Sequence, residues 1–366
     1  MAEVRLFLSG DVMPGRGIDQ IQRYPSHPRL YEGYATSAAT YVDLAESANG
    51  SIPRLVSPDY MWGDALAVLQ AAQPAARIIN LETAVTTSHE HWPKGINYRM
   101  HPDNIACLTD AGIDCCVLAN NHVLDWGTDG LLETLATLQG VGIRTAGAGR
   151  TAAEATVPAV LPLPNGGRVL VFGAATTSCG VPRGWAAGVD KPGVNLLPNL
   201  SPGTAAQLAE AAQRNRQDGD LLIASVHWGG NWGYTIPPAH QAFAHALIDG
   251  GFDMVHGHSS HHAQGIEVYR RKLVLYGCGD LINDYEGISG YEDFRGDLAL
   301  LYLPRLDSAT GCLLSLLMVP MQIRRFRLNR PSAQDARWLH KVIARESGKL
   351  GTKVTLGPDD SFLIDT

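Results

Sequence analysis

The stretch Val4-Arg5-Leu6-Phe7-Leu8-Ser9-Gly10-Asp11 is a short strand-forming run that closes on a glycine and a carboxylate. A strand that ends by delivering an acidic side chain is what the carboxyl edge of an α/β sheet requires, because such folds gather their ligands there. The pattern recurs along the chain. Arg77 to Ile79 leads into Asn80-Leu81-Glu82, and Asp114 to Ala119 leads into Asn120-Asn121-His122. Leu221 to Val226 is followed by His227, and Phe252 to Val255 by His256-Gly257-His258-Ser259-Ser260-His261-His262. Arg168 to Phe172 and Leu273 to Tyr276 supply further strands. Helical signals lie between them. Leu131, Leu132, Leu135 and Leu138 follow a helical period closed by Gly140 and Gly142, and Ala239 to Ile248 reads as a helix stopped by Gly250-Gly251. Strands alternating with helices place the chain in the α/β class.

Toward the C-terminus, Leu298 to Leu303 and Leu313 to Gln322 read as a hairpin closing a second sheet, followed by a helix from Ala333 to Arg345. No internal repeat or linker interrupts the chain, so residues 1–366 are expected to form a single domain, with the hairpin and helix beginning at about 298. Pro25 to Asp59, rich in Tyr, Pro, Ser and Gly, is expected to be a long loop or partly helical insertion near the site.

The 366 residues, 45% hydrophobic and 18% charged, suffice for a large core. A net charge of -7 offers no broad cationic field, which argues against nucleic acid as the main partner. Cys312 to Ile323, the longest apolar stretch, falls short of the ~20 residues a spanning helix needs, so no membrane partner is expected. Met1 runs directly into strand-like sequence with no export-signal pattern, and a cytoplasmic location is the expectation. The six cysteines show no CxxC spacing and read as reduced core thiols.

One histidine after a strand is more often a hydrogen-bonded core residue than a ligand. Carboxylates and imidazoles at five strand ends are best explained together by a divalent metal ion, with Ca, Mn, Fe and Zn all compatible. Four histidines within 256–262 strengthen that reading, although His256 and His262 can be bystanders.

The set Gly10-Asp11-Val12-Met13, Asn80-Leu81-Glu82-Thr83, Asn120-Asn121-His122, His227-Trp228-Gly229 and Gly257-His258 to His261 resembles the motifs of the CapA family. That family, named for poly-γ-glutamate capsule synthesis, belongs with the calcineurin-like metallophosphoesterases. The resemblance implies a calcineurin-like four-layer α/β-β/α sandwich of two mixed sheets. It implies Asp11 and Glu82 as carboxylate ligands, with Asn121, His227 and His258 as further metal ligands. His122 matches a general acid, and His261 is a candidate for the last metal histidine or for a proton donor. Met13 stands where a ligand histidine is usual and Ser260 where another ligand is, so one metal per site is expected. A thioether is a poor ligand for a hard or borderline cation.

The family also contains lasso-peptide epimerases. Racemisation at a Cα needs one base and one acid, each oriented by a partner, and two His/Asp pairs are available. His122 can pair with Asp125, and His258 or His261 with Asp280 or Asp284. The expectation is a metal-dependent enzyme acting on a peptide, with Cα epimerisation narrowly ahead of hydrolysis of a glutamyl-type amide or a phosphoester. A non-catalytic accessory role in polymer synthesis is the third reading. Trp126, Trp228 and Trp232 suit a peptide or apolar ligand, and Arg16, Lys94 and Arg99 a carboxylate or phosphate. The expected partner is therefore a peptide or glutamyl-polymer substrate.

Overall fold

Every residue from Leu6 to Val12 is buried, which a strand achieves only when both of its faces are covered. Alternate side chains on that strand enter two different cores. Leu6 and Leu8 pack with Ile78 and Val117, and across an interface with Val169, Ile223 and Met254. Phe7 points the other way, toward Ile79, Cys116 and the helical residues Leu69, Leu131 and Leu135. A third core joins Leu170, Leu222 and Val255 to Ala205, Ala209, Phe243 and Leu247. Helices, sheet, sheet and helices therefore stack in that order. In this computed structural model, which describes residues 3–164 and 166–365, the chain is a four-layer α/β-β/α sandwich, the layer order that the resemblance implies. Met1 and Ala2, at the head of the N-terminal run, lie outside the described residues.

In the first sheet Glu3–Val12, Ala76–Leu81, Cys115–Val117 and Arg144–Ala146 run parallel, and Asp280–Ile282 pairs in parallel with the first strand. In the second, Arg168–Ala175, Leu221–His227, Met254–His258 and Lys272–Leu275 run parallel between two antiparallel edge strands.

The C-terminal hairpin forms, as Leu298–Asp307 against Leu313–Ile323. It does not build on the second sheet but pairs antiparallel with Glu3–Val12 in the first. Hydrophobic period identifies a hairpin; only contacts between segments distant in sequence choose its sheet. The last helix, Ala333–Gly348, sends Leu339 and Ile343 into the core between the sheets. Between Pro25 and Asp59 the chain forms one helix, Ala39–Asn49, within irregular segments.

Helix Pro202–Asn215 escaped the sequence reading although its signals are present. Ser201 caps it by accepting from Thr204 N at 3.2 Å, Pro202 occupies the first turn, and Ala205, Ala209 and Ala212 form the buried stripe. All six cysteines are free and five are buried. Among the described residues no helix is long and apolar enough to cross a membrane.

Candidate metal centre

Parallel register brings the acidic strand ends together. Asp11 is level with Asn80 on one side and Asp280 on the other, and Glu82 follows two residues after Asn80. The strands can approach because position 10 is glycine: a Cβ there would meet Gly279 O at 1.9 Å. His227 and His258 are in register across the second sheet. The three-residue spacing from His258 to His261 is taken up at Ser259, whose φ of 105° is strained for a residue other than glycine. That conformation points Ser259 N at Asp11 Oδ2, 3.2 Å away.

Two groups of donors result, with all ligand atoms in each within 4.8 Å of one another: Asp11, His227 and His258, and Asp11, His261 and Asp280. Asp11 belongs to both. Asn80 Nδ2 donates to Asp11 Oδ1 at 2.7 Å and to Glu82 Oε2 at 3.1 Å, holding the two carboxylates side by side. Glu82 lies 3.8 Å from His122 Nε2 and 3.9 Å from His227 Nε2. Asn121 Oδ1 is 3.0 Å from His227 Nε2.

The electrostatics fit a cation. Asp11, Glu82 and Asp280 are buried, and among the described residues no lysine or arginine pairs with any of them. Burial first, and Asp280 second, push Asp11 up to about 7; burial and then Asp11 push Glu82 upward. Burial, and then neighbouring imidazoles, hold His227 and His258 well below the ordinary histidine value. Their ring nitrogens are thus available as lone pairs. For His261 burial acts downward, but Asp280 and Asp11 together outweigh it and leave the imidazole raised.

Met13 is buried 3.7 Å from the Tyr285 hydroxyl, which in turn accepts from Tyr98 Oη at 2.8 Å. Asp280 stands in the group with Asp11 and His261, so the loss of an imidazole at position 13 does not leave that side without donors.

His122 has its own partners. Its Nδ1 is 2.6 Å from Asp125 Oδ2, while Lys94 Nζ lies 2.6 Å from Asp125 Oδ1 and also bonds Asn121 O. Burial, then Lys94, bring His122 down to about 4 against the opposing pull of Asp125. The backbone at His122 is fixed by Asn120 Oδ1, which accepts from His122 N at 3.1 Å and from Val123 N at 3.0 Å.

A model of the family described as "Bacterial capsule synthesis protein PGA_cap" matches residues 5–285, the span that carries every one of these groups. The chain belongs to this family. It is similar to the "Probable polyglutamine synthesis accessory protein" of Mycobacterium tuberculosis, at 47% identity over 359 residues, 98% of this chain and 94% of that one. The "Capsule biosynthesis protein CapA" of Bacillus anthracis is 26% identical, over 70% of this chain and 59% of that one. The "PGA biosynthesis protein CapA" of Bacillus subtilis is 26% identical, over 75% and 62%.

Several residues expected at the site of this PGA_cap protein are placed otherwise. Arg16 is paired with Asp284 and Glu32 and also borders the cavity beside His261, and Asp284 is outside both donor groups. Arg99 binds Ser88 O and His27 O and lies 3.9 Å over the Trp126 ring. Trp126 and Trp228 are enclosed: the first donates to Tyr98 O, the second to Tyr276 O while stacking on His240. In each case burial supplied a partner that one-dimensional proximity to a motif could not reveal. Trp232 does border open space. With Asn231, Tyr285, Ile288 and Tyr291 it lines a cavity of about 760 Å³ that reaches His261. His262 is held in the aromatic group of Trp232 and Phe294. Asn80, Asn120 and Ser225 were not singled out; the two asparagines sit inside the quoted motifs, whereas Ser225 carries no signal of its own.

Proposed function

We propose that this chain is a metal-dependent hydrolase of a glutamyl-type amide, holding two divalent cations that share Asp11. The observation that carries the reading is that one buried carboxylate, with no lysine or arginine partner among the described residues, belongs to two donor groups, with a His–Asp pair at their flank. Asp11, His227 and His258 would hold one cation, and Asp11, His261 and Asp280 the other; Glu82 and Asn121 lie beside His227. A bound cation supplies Lewis acidity toward the substrate carbonyl and a water molecule. His122, neutral at physiological pH, takes the proton from the attacking water and returns it to the leaving amine as the new C–O bond replaces C–N. Asp125 orients the ring, and Lys94 steadies Asp125. Trp232 and the cavity beside His261 bind the acyl or peptide portion. The glutamyl assignment draws support from what the similar proteins are named for.

A second reading, Cα epimerisation of a peptide, is favoured by two His–Asp pairs at the same centre. His122 lies 2.6 Å from Asp125, and His261 lies 2.9 Å from Asp280. One experiment separates the two. Oligomers of α- and γ-linked glutamate are incubated with the protein and Mn²⁺ in deuterium oxide and followed by mass spectrometry. Chain cleavage that is lost in Asp11→Asn is the expected result. Deuterium at Cα without cleavage transfers the assignment to the epimerase. A cation bound with neither outcome on any such oligomer removes both and returns the chain to a non-catalytic accessory role.

A further inference from the structure

Within the histidine-rich run, His256 ties the second sheet to the first through a backbone oxygen. Its Nε2 lies 2.8 Å from the backbone oxygen of Ser9, on the strand that carries Asp11. A carbonyl only accepts, so His256 Nε2 bears a hydrogen. His256 is fully buried, and its ring partners are this carbonyl and the Ser225 hydroxyl, with no carboxylate to support a positive ring. The ring is neutral, and its Nδ1 is an acceptor. Ser225 Oγ, 3.0 Å from that Nδ1, therefore gives its only proton to His256. The same oxygen lies 3.0 Å from His258 Nε2 and toward that ring can only accept. His258 Nε2 is then the protonated nitrogen, and His258 Nδ1 is left as a lone pair.

That lone pair faces the donor group. His258 Nδ1 is 2.7 Å from His227 Nδ1 and 4.0 Å from Asp11 Oδ1. The chain of bonds is built by register. Ser225 is level with His256 and His227 with His258, and residues two apart on a strand share a face.

We propose that Ser225 and His256 are positioning residues that lock His258 in the tautomer presenting Nδ1, and that they anchor this tautomer to the backbone of the opposite sheet. The proposal rests on the reading of Asp11, His227 and His258 as cation ligands for its consequence, but not for the tautomer itself. Partners of this kind around a ligating histidine are worth about 10–100-fold in metal affinity.

The tautomer is read by imidazole ¹⁵N NMR on histidine-labelled, chelator-treated protein, with His258 assigned by its loss in His258→Gln. Zn²⁺ affinity is measured on the same samples by calorimetry. The wild type is expected to show His258 protonated at Nε2. Ser225→Ala is expected to mix or invert the tautomer and to weaken Zn²⁺ binding about 10–100-fold, with Ser225→Thr restoring both. A wild-type His258 protonated at Nδ1 overturns the proposal without recourse to any variant. So does a folded Ser225→Ala protein that keeps the wild-type tautomer and affinity. If wild type binds no Zn²⁺, Mn²⁺ or Ca²⁺, the metal reading fails, while the tautomer measurement still decides the relay.

Discussion

Replacing Arg16 by methionine separates an internal ion-pair role from the substrate-clamp role that the sequence suggested. Arg16 donates to Asp284 from Nε at 2.8 Å and from Nη2 at 2.5 Å, and to Glu32 at 3.1 Å, with all three side chains fully enclosed. Its guanidinium also lies 3.5 Å from the centre of the Tyr41 ring. Methionine fills comparable space but leaves two buried carboxylates without their cation, a loss of about 3–5 kcal/mol. Unfolding entropy of roughly 2.1 cal/mol/K per residue makes this about a 4–6 °C fall in Tm for a chain this long. Burial already pushes Glu32 upward, and removing Arg16 pushes it further. A carboxyl raised in the folded state stabilises at low pH and loses that contribution as pH rises, so the deficit grows from acid toward neutral pH. The assay is thermal unfolding of wild type, Arg16→Met and Arg16→Met/Asp284→Leu between pH 5 and 8. The double variant is expected to regain part of the loss. An unchanged Tm for Arg16→Met, combined with a KM raised about tenfold, would refute the reasoning and reinstate Arg16 as a substrate contact.

In cation-free protein, Asp11 sits at about 7, above its unfolded value. Its stabilising contribution is full below about pH 4 and is lost as pH rises through 7. The Tm of chelated protein should fall across that window; added Mn²⁺ should remove the fall and Asp11→Asn flatten it, and identical profiles with and without cation would contradict the account. Lys94→Met should raise the His122 pKa from about 4, and Asp125→Asn should lower it, both read by NMR titration of the ring; shifts of the opposite sign would dismiss the Lys94–Asp125–His122 arrangement. Trp232→Ala should raise KM about tenfold with little change in kcat. Trp228→Ala should instead cost about 3–5 kcal/mol of stability, and an exchange of these two phenotypes would show that the cavity has been misplaced.

The candidate ligands Asp11, Glu82, His227 and His258 were legible because each lies at the end of a largely apolar strand, and such strands are recognisable without a partner. Asp11, Glu82, His227 and His258 needed no tertiary information to be named. The pairing of His122 with Asp125 was legible for a local reason: three residues separate them. His261 with Asp280 was one of several combinations, and it took parallel register between Glu3–Val12 and Asp280–Ile282 to bring Asp280 beside Asp11. Asp284, Arg16, Trp126 and Trp228 have internal partners that the sequence did not reveal. Their motif-adjacent positions are genuine, but their side chains turn into partners supplied by distant segments.

The sequence by itself determined the α/β class, the strand ends that carry chemistry, and the residue types able to hold a cation, because these depend on local period and on side-chain chemistry. The tertiary structure alone decided that Asp11 is shared by two donor groups. It also decided that the hairpin joins the first sheet and that Ser9, His256 and Ser225 reach His258 across the sandwich. Those outcomes depend on which strands pair and in what register, and register is set by the packing of two sheets against each other, a property that no single segment contains.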